Sequence, residues 1–427
     1  MSPSPASPLA GRRVLVLVSG SIAAVKLPLV VSTLVRKGAQ VRCVLTPAAT
    51  ALVSASALAT LSRAPCHLDG DQWSHRAPRP LHIELAEWAE VVLMAPLSAT
   101  TLARWVHGLA DTLVAGVLQA CEAPVLAAPA MNSAMWSAAA VRRNREVLSA
   151  MPAVLTLEPG QGLLACDRVG DGRMAEPDRL VLALESLLLN GPQRDWQGLR
   201  LLVTAGPTRE DLDPARCLTN RSSGRMGVML AQVASLRGAR VDLIHGPLQV
   251  PSTLLEGLTC HPIESGADLE RTLADLGDRA DAIAMAAAVA DHRLAEPLAD
   301  KLPKDELDRH LRGDWQTVPD LLAALVRRRP PGQVILGFAA HSGEVLPQAR
   351  LKLADKGCDL LFANPIDRPG AGFASETNQG WLLGPGNAET WIPDGSKLAL
   401  AHQLLSALGA GLATVRLRGE APSHTGC

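Results

Sequence analysis

The sequence predicts an α/β protein of two Rossmann-like parallel-sheet domains, the second with a short β-hairpin extension. Strand-length apolar runs alternate with helix-length amphipathic runs through both halves, as in a parallel sheet covered on both faces by helices. The alternation halts at the Gly/Pro/polar stretch NGPQRDWQG (190–198) and then restarts, which marks a domain boundary. Each half also opens with a buried strand that breaks through a Gly–Ser turn into a helix, a geometry suited to holding a phosphate. At 427 residues the chain is too long for one core, so two domains are expected on length alone.

Residues 1–11 are rich in Pro and Ser and read as a disordered leader. The apolar run after Arg12 and Arg13 is only strand-length, which argues against a signal peptide. The first domain, 12–190, begins with the buried strand Val14–Val18 and a helical spacing over Ser21–Arg36. Val41–Leu45, Val91–Met94 and Val125–Ala128 read as further buried strands, with helices around 98–110, 112–121 and 134–149 and a last helix at 178–189. A linker, 191–198, leads to the second domain, 199–412. Its strands are Leu199–Thr204, Val241–His245, Asp281–Ala287, Val334–Gly337 and Leu360–Ala363, with helices near 227–237, 266–276, 317–328 and 345–356. Gly380–Leu383 and Thr390–Ile392 form the expected hairpin before a final helix at 396–410 and a tail, 413–427.

Composition narrows the function classes. Apolar residues make up 48% and charged residues 19%, a soluble globular balance. A formal net charge of −1 excludes a general electrostatic grip on nucleic acid or on an anionic membrane. Apolar runs such as Ile283–Ala290 are strand-length and too short to span a bilayer. The eight cysteines are scattered without a CxxC pair, so neither a disulfide framework nor a zinc site is expected, and a reducing cytoplasm fits. The chain has no Tyr and three Phe, so no phenol is available for catalysis.

In the first half, VSGSIAAVK (18–26) follows the first strand. Ser19 and Ser21 offer hydroxyls, Gly20 lets backbone approach an anion, and Lys26 lies one helical turn in. There is no GxGxxG, so a dinucleotide site is not indicated. APLSATTLAR (95–104) and APAMNSAMW (128–136) place polar groups at the C-terminal ends of strands, where open α/β sheets bind ligands. Asn132 is also well placed to cap the next helix, and His82 in LHIELAEW reads equally as a polar residue at a helix start. GLLACDRVGDGRM (162–174) is a Gly-rich loop with one cysteine, either a flap over a site or a plain surface loop.

Taken together, GSIAAxK, LHIEL, APxSAxTLA, PAMNxxMW and GxLACxxxGxGRM resemble the flavin-dependent cysteine decarboxylases, with the nearest likeness to phosphopantothenoylcysteine decarboxylase domains over residues 12–190. The resemblance implies a flavodoxin-like domain with FMN at a subunit interface. The FMN phosphate would lie near Ser19, Gly20, Ser21 and Ser98, with Lys26, Thr46 and Thr100 as further cofactor contacts. His82 would be catalytic, Asn132 would bind the substrate carboxylate, and Cys166 would act from the flap. The implied chemistry first oxidises the substrate's CH2–SH group to a thioaldehyde. That supplies the electron sink an unactivated α-carboxylate lacks, so CO2 leaves and an enethiol forms; electrons then return, with Cys166 as proton donor. Val25 stands where the family often has Tyr, and Asp167 where it often has Gly.

The second half opens with LVTAGPTREDLDPARCLTNRSSGRMG (202–227). Connections between elements usually run about 2–6 residues, so a much longer loop of glycines and hydroxyls ahead of a helix points to a phosphorylated ligand. AAAVADHR (286–293) ends a buried strand in Asp291, and KLPK (301–304) carries two lysines. The opening loop is similar to the phosphopantothenoylcysteine synthetase motif TAGPTxExxDPxRxxxNxSSGxMG. This resemblance implies that Asn220 contacts an acyl intermediate, that Gly206, Ser222, Ser223 and Gly224 contact phosphate, and that Arg209, Phe338, Lys352 and Lys356 contact substrate or nucleotide. It assigns Asp291 to the nucleotide and to Mg2+, and makes Lys301 the essential cation of the KLPK loop. Cys217, Pro303 and His341 depart from the family pattern.

The two resemblances together imply successive steps of coenzyme A biosynthesis. Cysteine is joined to 4′-phosphopantothenate through a CTP-derived acyl-cytidylate, and the product is decarboxylated to 4′-phosphopantetheine. The implied assembly is a homo-oligomer of trimeric flavin domains and dimeric ligase domains, a dodecamer in its largest form. The alternatives are a peptidyl-cysteine decarboxylase with a degenerate ligase domain, and a regulatory flavin-binding subunit. Retention of His82 and Cys166 weighs against the second.

Overall fold

A computed structural model of the protein describes residues 7–73, 79–163, 169–296, 298–301, 303, 311, 315–367, 372 and 375–420. The chain divides into two compact units, Met1–Gln193 and Arg194–Cys427.

The first unit is built on six parallel strands: β1 (Arg13–Val18), β2 (Gln40–Leu45), β3 (Cys66–Leu68), β4 (Val91–Leu97), β5 (Val125–Pro129) and β6 (Val154–Thr156). Their spatial order is β3-β2-β1-β4-β5-β6, so the chain reverses direction across the sheet between β1 and β4. Val14 pairs with Val41 on one side and Val91 on the other. Val14–Val18 and Val91–Leu97 are wholly buried, as strands covered on both faces must be. The helices are α1 (Leu27–Arg36), α2 (Pro47–Thr50), α3 (Ala55–Ser62), α4 (Leu81–Trp88), α5 (Ala99–Val106), α6 (Leu113–Ala120), α7 (Ser133–Ser137), α8 (Ala139–Ala150) and α9 (Pro177–Asn190). Thr46, Ser54, Ser98, Thr112 and Asn132 each cap a helix by accepting an amide hydrogen bond.

Two expectations change here. The leader is packed from Ser7 onward: Leu9 is fully buried, and the Ser7 hydroxyl donates to Glu185 at 2.6 Å. The described residues of 162–174 are not all loop either. Strands β7 (Gly160–Leu163) and β8 (Val169–Arg173) form an antiparallel pair.

The second unit holds eight strands in the order β13-β12-β9-β14-β17-β18-β19-β20. The parallel ones are β9 (Arg200–Ala205), β12 (Arg240–His245), β13 (Thr259–Pro262), β14 (Ala282–Met285), β17 (Val334–His341) and β18 (Leu360–Pro365). The expected hairpin is longer than its apolar core suggested. β19 (Thr377–Gly384) pairs antiparallel with β18 and with β20 (Ala388–Ser396), held by an edge-to-face Trp381–Trp391 contact with centroids 5.4 Å apart. Two small antiparallel pairs stand outside this sheet: β10 (Arg209–Asp213) with β11 (Arg216–Thr219), and β15 (His292–Leu294) with β16 (Trp315–Thr317). The helices are α10 (Arg225–Leu236), α11 (Gly266–Leu276), α12 (Leu321–Arg328), α13 (Val345–Lys356) and α14 (Lys397–Glu420). Residues 413–420 are therefore helix, where a tail was expected.

Over Lys397–Leu417, α14 is long and apolar enough to cross a membrane, a point the apolar runs of the sequence did not bring out. Its apolar residues have another use. Leu398, Leu400, Ala401, Leu404, Leu405, Leu408 and Leu412 are all buried within the unit, and each such leucine is worth about 1.5–3 kcal/mol of transfer free energy.

His402 lies buried on the same helix. Burial, reinforced by Arg237 and opposed by Asp195, pushes its imidazole down from 6.5 to about 4. Between these values the unfolded chain binds a proton that the native state refuses, so stability is full above about 6.5 and is lost as pH falls through 4. Roughly 3 kcal/mol is at stake, from about 1.4 kcal/mol per pH unit. Urea midpoints of the whole protein should fall over this interval, and His402→Leu should flatten that part of the curve. A variant with the wild-type pH profile would refute the assignment.

Candidate functional site

In the first unit the motif residues collect at the C-terminal edge of the sheet. The loops after β2, β1, β4 and β5 carry Thr46, Ser19–Ser21, Ser98–Thr100 and Asn132, and these strands are neighbours in that order. Helix α4 leads back into β4, which puts His82, in its first turn, at the same edge. The direction reversal between β1 and β4 lies here too, the usual ligand crevice of an open α/β sheet.

Several of these side chains have structural tasks. The Ser19 hydroxyl donates to the Pro96 carbonyl at 2.6 Å and accepts the Ser98 amide at 2.9 Å. It stitches the two central loops together, and its proton is not available to an anion. Ser98 caps α5 and donates to Thr101 Oγ1 at 3.2 Å, and Thr46 caps α2. Lys26 is also engaged: its ammonium lies 2.7 Å from Glu176, a carboxylate that Arg173 contacts as well. Ser21 differs. It precedes the helical turn at Ile22 without capping it, which leaves its hydroxyl and the first helical amides for a ligand. Thr100 is exposed.

His82 is half-buried, and its Nδ1 is buried without a hydrogen-bond partner among the described residues. Such an atom costs about 1–3 kcal/mol unless a ligand uses it. The ring rests on Gly116 of α6, where a Cβ would stand 3.3 Å from His82 Cβ and 3.4 Å from Cγ. Gly116 went unnoticed in the sequence, being one small residue inside an apolar helix. Asn132 caps α7 through Oδ1, accepting the Met135 amide at 2.8 Å, and this leaves its Nδ2 donors free of that duty.

The β7–β8 pair is docked on the PAMN loop. The Met131 amide donates to the Gly172 carbonyl at 3.0 Å, and the Ser133 hydroxyl donates to the Asp171 carbonyl at 2.8 Å. Gly172, at φ 125°, tolerates no side chain, since a Cβ would fall 1.9 Å from the Met131 carbonyl oxygen. Cys166 and Asp167, between the two strands in sequence, lie outside the described residues.

The second unit contains a cavity of about 890 Å³. It gathers Asn220, Ser222, Ser223, Gly224, Asp291, Phe338, Lys352 and Lys356 from four separate stretches of sequence. Zipped loops form its floor. Thr208 accepts the Ala290 amide on Oγ1 at 3.0 Å, and its own amide donates to the Ala288 carbonyl at 3.1 Å. Asn220 Nδ2 donates to the carbonyls of Ala288 at 3.1 Å and Val289 at 3.0 Å. Ser222 and Ser223 accept the amides of Gly224 and Arg225 at 3.3 and 3.5 Å. Gly224 itself caps α10 at φ 74°, a left-handed conformation that other residues rarely adopt. The N-terminus of α10 thus opens into the cavity with its dipole toward the ligand.

On α13, Lys352 and Lys356 are one turn apart. Burial, then the neighbouring Lys356 charge, holds Lys352 below the ordinary lysine range. Hydrogen bonds to Asp320 and Asp355 raise Lys356. Asp320 is held low although burial pushes the other way, because the Ala323 amide and Lys356 outweigh it. Like charges at this spacing repel, and a polyanion in the cavity removes the conflict. Phe338 packs edge-to-face on Phe362 with centroids 5.8 Å apart. His341, adjacent to Lys352, is lowered by burial first and by that lysine second.

Three assigned residues are not part of the lining. Arg209 lies 3.7 Å from Glu264 on the β10 pair, and Gly206 serves the loop floor, where its carbonyl accepts the Ala288 amide at 2.9 Å. Lys301 is exposed, while Lys304 lies outside the described residues. Lys301 belongs to the segment between β15 and β16, which leaves the cavity rim after Asp291 and returns to it at Thr317. Lys397, which no motif indicated, does line the cavity. Its signal was a lysine at the first turn of an apolar helix, the end that disfavours a cation. Among the described residues no group of three or more His, Cys, Asp or Glu is placed to hold a metal ion.

Two family models match the chain: one described as flavoprotein over residues 3–189, and one described as the C-terminal domain of DNA/pantothenate metabolism flavoprotein over residues 196–411. The chain is 35% identical to the coenzyme A biosynthesis bifunctional protein of Bacillus subtilis (strain 168), covering 94% of this chain and 98% of that relative. It is 38% identical to the protein of the same name from Mycobacterium tuberculosis (strain CDC 1551 / Oshkosh), covering 94% and 97%. Among solved structures, the FMN binding protein AtHal3 is 33% identical over 40% of this chain and 94% of its own, with a TM-score of 0.37.

Proposed function

The chain belongs to the family of coenzyme A biosynthesis bifunctional proteins, and from that membership we propose how its two units divide the chemistry. It is a bifunctional enzyme, with a flavoprotein decarboxylase unit for phosphopantothenoylcysteine and a ligase unit that joins phosphopantothenate to cysteine.

In the first unit the donors fit the phosphate of FMN. Ser21, the amides that follow it and Thr100 would hold that phosphate, Gly20 would give it access, and Ser19 and Ser98 fix the loops. When bound, the flavin supplies reversible two-electron oxidation of the substrate thiol carbon. His82, with a buried nitrogen awaiting a partner, moves the proton of that group. Asn132 holds the substrate carboxylate with Nδ2, since Oδ1 is committed to α7. Cys166, which lies between β7 and β8 in sequence, would return a proton to the product. Ile22 and Val25, each 55% exposed, and Leu29 at 57% form an apolar stripe beside Ser21. That stripe supports contact with further copies, as in trimeric flavin domains joined to dimeric ligase domains.

In the second unit the phosphopantothenate carboxylate attacks the α-phosphate of CTP, giving an acyl-cytidylate and pyrophosphate. The cysteine amine then displaces CMP. The carrying observation is the single cavity that joins the glycine–serine cradle to Asp291, Lys352 and Lys356. Phe338 packs against the base or ribose, and Lys301 supplies positive charge to the leaving phosphates. Mg2+ would take most of its oxygen ligands from the triphosphate, because Asp320 and Asp355 are engaged with Lys356 and, among the described lining carboxylates, that leaves Asp291. The free thiols of Cys43, Cys66, Cys121, Cys217, Cys260 and Cys358 suit a reducing cytoplasm.

The purified protein should be yellow. Given phosphopantothenate, cysteine and CTP, it should release pyrophosphate and form 4′-phosphopantetheine, with ATP a poorer nucleotide. A colourless protein that FMN does not reconstitute would sink the first half of this reading, and absence of nucleotide-dependent pyrophosphate the second.

A further inference from the structure

The ligase cavity contains two separate basic groups. Lys352 on α13 senses Lys356, Asp320 and Asp291. Lys397, at the start of α14, senses Arg225 of α10 and Glu376 just ahead of β19. Arg225 also lines the cavity and lies 3.7 Å from the Glu376 carboxylate.

Lys397 is only 4% exposed. A buried ammonium is costly, the N-terminal turn of a helix disfavours a cation, and Arg225 adds like charge. Burial first and Arg225 second push the group down from 10.5 to about 8, against the pull of Glu376, so it is still largely charged at neutral pH. An anion in the cavity, at the open N-terminus of α10 beside Arg225, offsets all three penalties.

We propose that Lys397 is a phosphate-binding residue of the ligase reaction, acting with Arg225 and the first amides of α10 on a phosphate of one of its two phosphorylated substrates. This rests on the ligase reading above and extends it to a residue outside the family motif. The shared chemistry is a phosphate oxygen. Its source is either the phosphate monoester of phosphopantothenate or the triphosphate of the nucleotide.

The test is steady-state ligation by the full-length protein, wild type, Lys397→Gln and Lys397→Arg, with each phosphorylated substrate varied in turn. Decarboxylation of supplied phosphopantothenoylcysteine and the melting temperature serve as folding controls. Lys397→Gln should raise one KM about 10–100-fold, with kcat changed far less, and Lys397→Arg should recover most of the loss. A rise in the phosphopantothenate KM assigns the monoester; a rise in the nucleotide KM assigns the triphosphate. In the wild type the same KM should climb above about pH 8, and Lys397→Arg should remove that break. Unchanged KM values for both substrates in Lys397→Gln would overturn the proposal. So would a lowered melting temperature with both KM values intact, which marks a purely structural lysine. A wild-type protein that does not ligate at all would overturn the ligase reading itself, a result separable from either.

Discussion

Replacing His82 with Asn is expected to slow decarboxylation of supplied phosphopantothenoylcysteine by about 10²–10⁴-fold, the usual worth of a positioned acid–base group, and to leave ligation unchanged. Asn fills nearly the same space against Gly116 and keeps a polar atom near the buried Nδ1 position, so packing is retained while titration is lost. Flavin content should stay at the wild-type level, because the phosphate donors of the β1 and β4 loops are held by Ser19 and not by His82. A companion, Gly116→Val, should impair the same step for a different reason: its side chain must displace the imidazole, so loss of rate comes with the histidine still present. Near-normal decarboxylation in His82→Asn would mean that another group moves the proton.

The contrast between these residues shows what the sequence makes legible. Parallel strands such as Val14–Val18 and Val91–Leu97 are buried on both faces, so they stand out as continuous apolar runs, and the strand-to-helix turns with their polar residues follow from them. The β10–β11 and β15–β16 pairs are short and polar, with no apolar alternation to announce them. Side-chain duty is harder still. Ser19 and Lys26 look like ligand donors until residues far along the chain, Pro96 and Glu176, claim them. Lys397 looks like an ordinary helix-start lysine until α14 folds against the sheet and buries it. Motif spacing carries information about neighbours in sequence, whereas these assignments are made by partners more than 70 residues away.

The ligase half has an equally sharp test in a change of one atom. Asn220→Asp keeps size and shape but replaces the Nδ2 donor with an oxygen facing the carbonyls of Ala288 and Val289. Two hydrogen bonds are lost: the Ala288 carbonyl keeps the Thr208 amide, but the Val289 carbonyl gives up its Asn220 donor at a cost of about 1–3 kcal/mol, and the new carboxylate is repelled by both. It must protonate or swing out, and either course releases the loop that carries Asp291 along the cavity wall. About 3–4 kcal/mol of lost positioning corresponds to a 10²–10³-fold fall in CTP-dependent pyrophosphate release, at about 1.4 kcal/mol per tenfold. Decarboxylation should be spared, since every bond affected lies in the second unit. Asn220→Ala, which loses the same bonds without the repulsion, should fall between the variant and the wild type. If Asn220→Asp releases pyrophosphate at the wild-type rate, the residue is not the clamp its geometry describes, and the acyl intermediate is held elsewhere in the cavity.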